Sequence, residues 1–349
     1  MNLTAAVLAL AVGVSGAPAP TDTVRQAVHR IVEEGHAPAA LMSVRRNGVD
    51  RSYQAGRTPT NAHVRIGSNT KAFLSVVVLQ LVAEGKIDLD GQVEPRFGGV
   101  TVRQLLQHTS GLPEYTDKIG LESPDEIRHR FLSPHDVLDV ALAHPAQFPP
   151  GAKFQYTNTN YVVLGLLVQK VTGRPVQEQI NDRVIRKLGL RDTYWPNEGE
   201  EGLRHPYARG VHRADENDPK SPVIDVTVMD PSWAWAAGQL VSTPSDLAAF
   251  YRGLLAGDLL PSAQLAQMRT TVDTGRPGTS YGLGLMRTDL TCGGVVWGHS
   301  GGIHGYGTLA GATDTGRAAA VAQTALPGAL TDPAAALQRL NDAQDRALC

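Results

Sequence analysis

The sequence predicts an α+β protein, with one antiparallel sheet built from both chain ends. The first and last helices flank that sheet, and an all-helical lobe is inserted between its two parts. Two observations carry this reading. Strand-like runs gather at residues 40–55 and again at 280–324, while helical patterns fill most of the interval. The most apolar helical stretch, SNTKAFLSVVVLQLVAEG, starts soon after the first strands. A formal net charge of -2 gives no electrostatic case for nucleic acid or an acidic membrane.

The first element is MNLTAAVLALAVGVSGAPAP, whose apolar run spans Ala5 to Val14. That run is too short for a bilayer, which needs about 20 apolar residues. It resembles the hydrophobic region of a signal peptide followed by small residues, although no Lys or Arg precedes it. Residues 1–19 are therefore read as a signal peptide and the protein as secreted. Residues 20–66 form the first part of the sheet lobe, 67–235 the helical lobe, and 236–349 the second part of the sheet lobe.

TDTVRQAVHRIVEE carries a capping Thr or Asp and helical spacing of Val24, Ala27, Val28 and Ile31. Two strands follow around the turn Asn47-Gly48, a strong hairpin signal. The Ser68–Gly85 stretch is apolar on nearly every side, which places it at the centre of the lobe. TVRQLLQHTSG, SPHDVLDVALAH, NTNYVVLGLLVQKVTG and TPSDLAAFYRGLLAG supply further helices. SYGLGLMR, GGVVWGHS, GYGTLAGA and GRAAAVAQT supply strands before a closing helix, DPAAALQRLNDAQDRAL.

Three short stretches can carry chemistry. Ser68-Asn69-Thr70-Lys71 puts a hydroxyl and an amine one helical turn apart at a helix start. A serine activated by a nearby amine is a known arrangement for acyl transfer. Tyr156-Thr157-Asn158 opens a second apolar helix, where it is either a reactive hydroxyl with an amide or a packing ring with an N-cap. His299-Ser300-Gly301-Gly302 ends a strand-like run, with glycines that permit close backbone approach. GHSGG also imitates a serine elbow, yet a strand rather than a helix follows it. His304, the last histidine, is too near to return as a triad base.

Together and in this order, the three stretches resemble the signature of penicillin-recognising serine enzymes. The resemblance is to the class C β-lactamase and soluble DD-carboxypeptidase branch. LLQHTSGLPEY, PGAKFQYTNTNYVVLG and GHSGGIHGY extend it from about residue 25 to the end. It implies an acyl-enzyme on Ser68, with Lys71 and Tyr156 as the proton-transfer pair and Tyr156 as base if the lysine depresses its pKa. It further implies that Asn158 bonds the substrate amide and His299 relays a proton to the leaving group. Arg287 would bind a substrate carboxylate, Trp233 would wall the pocket, and Ser300 would bond the carboxylate. The Gly302 N–H would share an oxyanion hole with that of Ser68.

The two cysteines, Cys292 and Cys349, are either free thiols or a bridge fixing the C-terminus; the resemblance implies the bridge. The implied donors are D-alanyl-D-alanine-terminated peptides, with β-lactams as inhibitors or substrates. Esterases, D-aminopeptidases and β-lactamases share this machinery, and a non-catalytic β-lactam receptor is the rival of another class. There is no H-E-x-x-H, no Walker A loop and no Rossmann fingerprint, so neither a metal nor a cofactor is expected.

Overall fold

The computed structural model describes residues 22–218, 220–330 and 332–349. The expected leader at 1–19 lies outside them. In chain order the strands are β1 (Ala39–Arg46), β2 (Val49–Gly56), β3 (Val64–Arg65), β4 (Val211–Arg213), β5 (Val223–Asp225) and β6 (Val241–Ser242). They continue as β7 (Val272–Arg276), β8 (Thr279–Tyr281), β9 (Met286–Asp289), β10 (Val295–Ile303), β11 (Tyr306–Ala312) and β12 (Ala318–Gln323).

Eight strands form one antiparallel sheet in the order β2-β1-β12-β11-β10-β9-β8-β7. Its strands come from residues 39–56 and 272–323, so β1 from one chain end pairs with β12 from the other. The sheet is the one anticipated from the sequence. Asn47 and Gly48 both take positive φ, 51° and 77°, which fits the tight β1–β2 turn.

One face of the sheet is covered by the terminal helices Thr23–Glu33 and Pro333–Leu348. Asp22 caps the first by accepting from the Arg25 N–H. Ala27, Val28 and Ile31 meet Leu340, Ala343 and Ala347 over Met42, Tyr53 and Val321. Cys292 and Cys349 are bridged, which ties the end of the last helix to the β9–β10 connection.

The other face meets the larger core. There the helix Thr70–Ala83 buries Phe73, Leu74, Val76, Val77, Val78 and Leu79 completely. Phe73 stacks on Phe250 of the helix Pro244–Ala256 with centroids 3.7 Å apart. A helix buried all round must have its polar residues satisfied within the protein. Lys71 lies in its first turn, and its partners define the site.

Candidate active site

Ser68 sits in a short 3-10 turn, Gly67–Asn69, that leads into the Thr70–Ala83 helix. Gly67 has φ +50°, and a Cβ there would lie 2.8 Å from the Gly302 N. A Cβ on Gly301 would lie 2.0 Å from the Ile66 oxygen. Only glycines allow β10 to press its backbone against the serine turn this closely. The fold thus brings the Gly302 backbone to Ser68, as anticipated.

Lys71 is fully buried, and its Nζ lies 2.9 Å from Ser68 Oγ, 2.8 Å from Asn158 Oδ1 and 2.7 Å from the Ala237 oxygen. Burial lowers its pKa to about 7, partly opposed by the charge of Glu114. Three acceptors suit an ammonium, which has three N–H donors. They suit the neutral amine equally: two N–H groups serve Asn158 and Ala237, and the lone pair accepts from the Ser68 hydroxyl.

The Tyr156 hydroxyl is near enough to Ser68 for the serine to oppose part of the effect of burial on its pKa. The residue as a whole is 37% exposed, but its hydroxyl points inward and burial raises its pKa. The expectation that Lys71 depresses this pKa is therefore corrected. Lys71 Nζ stands over the ring, 5.0 Å from its centroid, rather than beside the oxygen.

Asn158 precedes the helix Thr159–Thr172 but makes no side-chain cap. Its Oδ1 accepts from Lys71, while its Nδ2 and backbone N–H both donate to Glu114 Oε2. Both side-chain atoms therefore have partners within the protein, while Nδ2 carries a second hydrogen beyond the one given to Glu114. Glu114, which was not singled out, lies within LLQHTSGLPEY and holds Asn158 in place.

His299 is buried beside Tyr156, the two ring centroids 6.2 Å apart. Its Nε2 meets the Tyr281 hydroxyl at 2.8 Å, and that hydroxyl meets His108 Nε2 at 3.2 Å. His108 Nδ1 accepts from the Thr157 N–H, so its proton resides on Nε2. The chain then runs in one direction: His108 donates to Tyr281, Tyr281 donates to His299 Nε2, and His299 Nδ1 donates to the Ser300 oxygen. Burial, with Lys71 nearby, lowers the His299 pKa to about 3. With Nε2 already accepting, the anticipated relay to a leaving group has no free lone pair. His108 itself has φ +57°, and its carbonyl accepts from the Gln155 N–H. It therefore grips the segment on both sides of Tyr156.

Arg287 and Trp233 make their contacts outside this cluster, while Ser300 meets it through its backbone oxygen. Arg287, on β9, pairs with Asp289 at 2.9 Å and lines a surface cleft with Thr271–Asp273 and 275–280. In this structure its guanidinium is engaged by a carboxylate of its own strand. The side chain against Ser300 is instead the thioether of Met286, with Ser300 Oγ 3.9 Å from its sulfur. Trp233 is buried, accepts from the Tyr115 hydroxyl through its carbonyl, and lies 5.7 Å from His304, ring to ring.

The chain is similar to known proteins. The family model described as Beta-lactamase matches residues 24–344. A crystal structure of a D-stereospecific amidohydrolase from Streptomyces sp. is 38% identical, with TM-score 0.84, covering 92% of this chain and 97% of that one. D-amino acid amidase from Ochrobactrum anthropi SV3, complexed with L-phenylalanine amide, is 27% identical. Its TM-score is 0.80, over 93% of this chain and 96% of that one. Protein flp of Staphylococcus aureus (strain MW2) is 30% identical over 200 residues, which is 50% of this chain and 39% of that relative. The chain thus spans well under two thirds of that relative's length.

Proposed function

The chain belongs to the Beta-lactamase family of serine hydrolases, and from that premise we propose that it cleaves amide bonds of D-configured amino-acid amides or peptides through an acyl-enzyme on Ser68. The observation that carries this reading is the 2.9 Å contact between Ser68 Oγ and a lysine whose pKa is lowered to about 7. A base is most effective when its pKa lies near the working pH.

In this mechanism neutral Lys71 takes the Ser68 proton as Oγ attacks the carbonyl carbon. The new C–O bond forms, and the developing oxyanion lies between the Ser68 and Gly302 N–H groups. Tyr156 donates its proton to the nitrogen as the C–N bond breaks, and the water that enters next carries the proton held by Lys71 to the phenolate. Water then hydrolyses the ester, with the same two groups moving its proton.

Met286 beside Ser300 and the pairing of Arg287 with Asp289 favour donors without a free carboxylate. That separates this reading from a D-alanyl-D-alanine carboxypeptidase, and the titles of the amidohydrolase and amidase structures point the same way. The Cys292–Cys349 bridge supports secretion, because disulfides persist in oxidising compartments.

The test compares hydrolysis of D-phenylalanine amide with release of D-alanine from a D-alanyl-D-alanine peptide, alongside intact-mass detection of a benzylpenicillin adduct. The amide should be the better substrate, and any adduct should map to Ser68 and vanish in Ser68→Ala. Preference for the carboxylate peptide would reinstate the carboxypeptidase, and activity surviving in Ser68→Ala would end the acyl-enzyme reading.

A further inference from the structure

We propose that His212, Glu216 and His304 bind one divalent transition-metal ion of the Zn²⁺ class, at a site separate from Ser68. The histidines show no ligand spacing in the sequence, yet the fold gathers these three. His212 lies on β4, Glu216 beyond it in the connection to β5, and His304 in the β10–β11 turn. One donor atom from each lies within 4.8 Å of the others.

The hydrogen bonds fix which ring atoms face inward. His212 is wholly buried and its Nδ1 lies 3.1 Å from the Arg213 oxygen. His304 is 4% exposed and its Nε2 lies 2.9 Å from the Leu121 oxygen. A carbonyl only accepts, so both of these nitrogens carry hydrogen, and in neutral rings the other nitrogen presents a bare lone pair. Of those atoms, His304 Nδ1 is buried without a hydrogen-bond partner, and His212 Nε2 faces the Glu216 carboxylate. Glu216 Oε1 lies 2.8 Å from His212 Nε2, the distance of an ion pair or a hydrogen bond when that nitrogen carries a proton.

Two lone pairs and a carboxylate oxygen facing one another are mutually repulsive. A proton on His212 relieves one contact and leaves His304 Nδ1 unpaired, whereas a single cation satisfies all three. Imidazoles that donate their outer N–H to backbone carbonyls are the usual support of metal-ligating histidines. Two imidazoles with one carboxylate suit Zn²⁺ and leave a fourth position for water. Bonds of about 2.0–2.1 Å place tetrahedral donors about 3.4 Å apart. Glu216 and His212 are already closer than that, so a closure of up to about 1.4 Å falls on the contacts to His304, and Glu216, with 34% of its side chain exposed, can move. The buried Trp233 Nε1, likewise without a partner, belongs to the ring packed on His304 and is a donor for the water. Such an ion would tie the β10–β11 turn to Leu121 and to the β4–β5 connection.

The test titrates the chelator-treated full chain with ZnCl₂ near neutral pH by calorimetry and follows Tm. One ion should bind per chain and Tm should rise with Zn²⁺, because a ligand held only by the folded state stabilises it. Glu216→Gln should weaken binding about tenfold or more, and His304→Ala should abolish it together with the visible bands of bound Co²⁺. No binding at about 0.1 mM Zn²⁺ would overturn the proposal. So would binding unchanged in Glu216→Gln, or binding lost only in Lys71→Met, which would place the ion at Ser68.

Discussion

Two buried clusters meet at Tyr156, and they differ in how freely their protons can be placed. Around Lys71 the three oxygen partners accept either the ammonium or the amine, and the pKa of about 7 makes both states accessible. In the His108–Tyr281–His299 chain every donor and acceptor is assigned by its neighbour, and burial holds both imidazoles neutral. Reversing that chain would turn a bare His299 nitrogen toward the Ser300 carbonyl. The difference teaches that a buried titratable group moves protons only when its partners fit both of its states. By that measure Lys71 is the reactive group and His299 is a brace.

The largest effect that can break the comparison is Lys71→Met. Without its base, acylation should fall about a thousandfold in kcat/KM, while circular dichroism shows the fold retained. In the native protein kcat/KM should fall toward acid with a midpoint near pH 7, as Lys71 gains its proton. The sign for stability follows from the same group. Its folded pKa lies below its ordinary value of 10.5, so the unfolded chain binds more protons between about pH 7 and 10.5. Stability from this group therefore rises with pH across that window, and Lys71→Met should remove the rise in denaturant midpoint. A limb near pH 7 that survives in Lys71→Met would assign the reactive proton elsewhere.

Tyr281→Phe sharpens the comparison from the other side. It deletes the hydroxyl that accepts from His108 and donates to His299, leaving two buried ring nitrogens unpaired. Each such loss costs about 1–3 kcal/mol, so chemical denaturation should show a drop of roughly 2–4 kcal/mol. The rate should fall about tenfold through misplacement of Tyr156, with the acid limb still near pH 7. A shifted limb would make the histidine chain a proton carrier and dissolve the distinction.

Much of this arrangement was legible in the sequence, and the unread parts share a cause. The sheet was readable because the Asn47-Gly48 turn and the alternating strands near both ends are local signals. Ser68, Lys71 and the Gly302 backbone were readable because their residue types and spacing imply a shared function. Glu114, His108 and Tyr281 were not assigned roles, since each acts through a partner at least 18 positions away. The directions of the Tyr156 and Lys71 pKa shifts follow from burial, which no spacing encodes. His212, Glu216 and His304 converge through the β4 and β10–β11 connections, beyond any sequence window.

Arg287→Ala carries the smallest expected effect and tests the edge of the comparison, where a cation lies outside both clusters. Its partner Asp289 has 56% of its side chain exposed, and ion pairs of that kind contribute about 0–1 kcal/mol. Tm should hardly move. If the substrate end near Ser300 meets the Met286 thioether, kcat/KM should change less than about twofold for amides and for carboxylate peptides alike. A loss of about tenfold confined to substrates with a free carboxylate would mean that Arg287 leaves Asp289 when substrate binds. The surface cleft would then be part of the binding site, and carboxylate recognition would return through a residue that the resting structure holds apart.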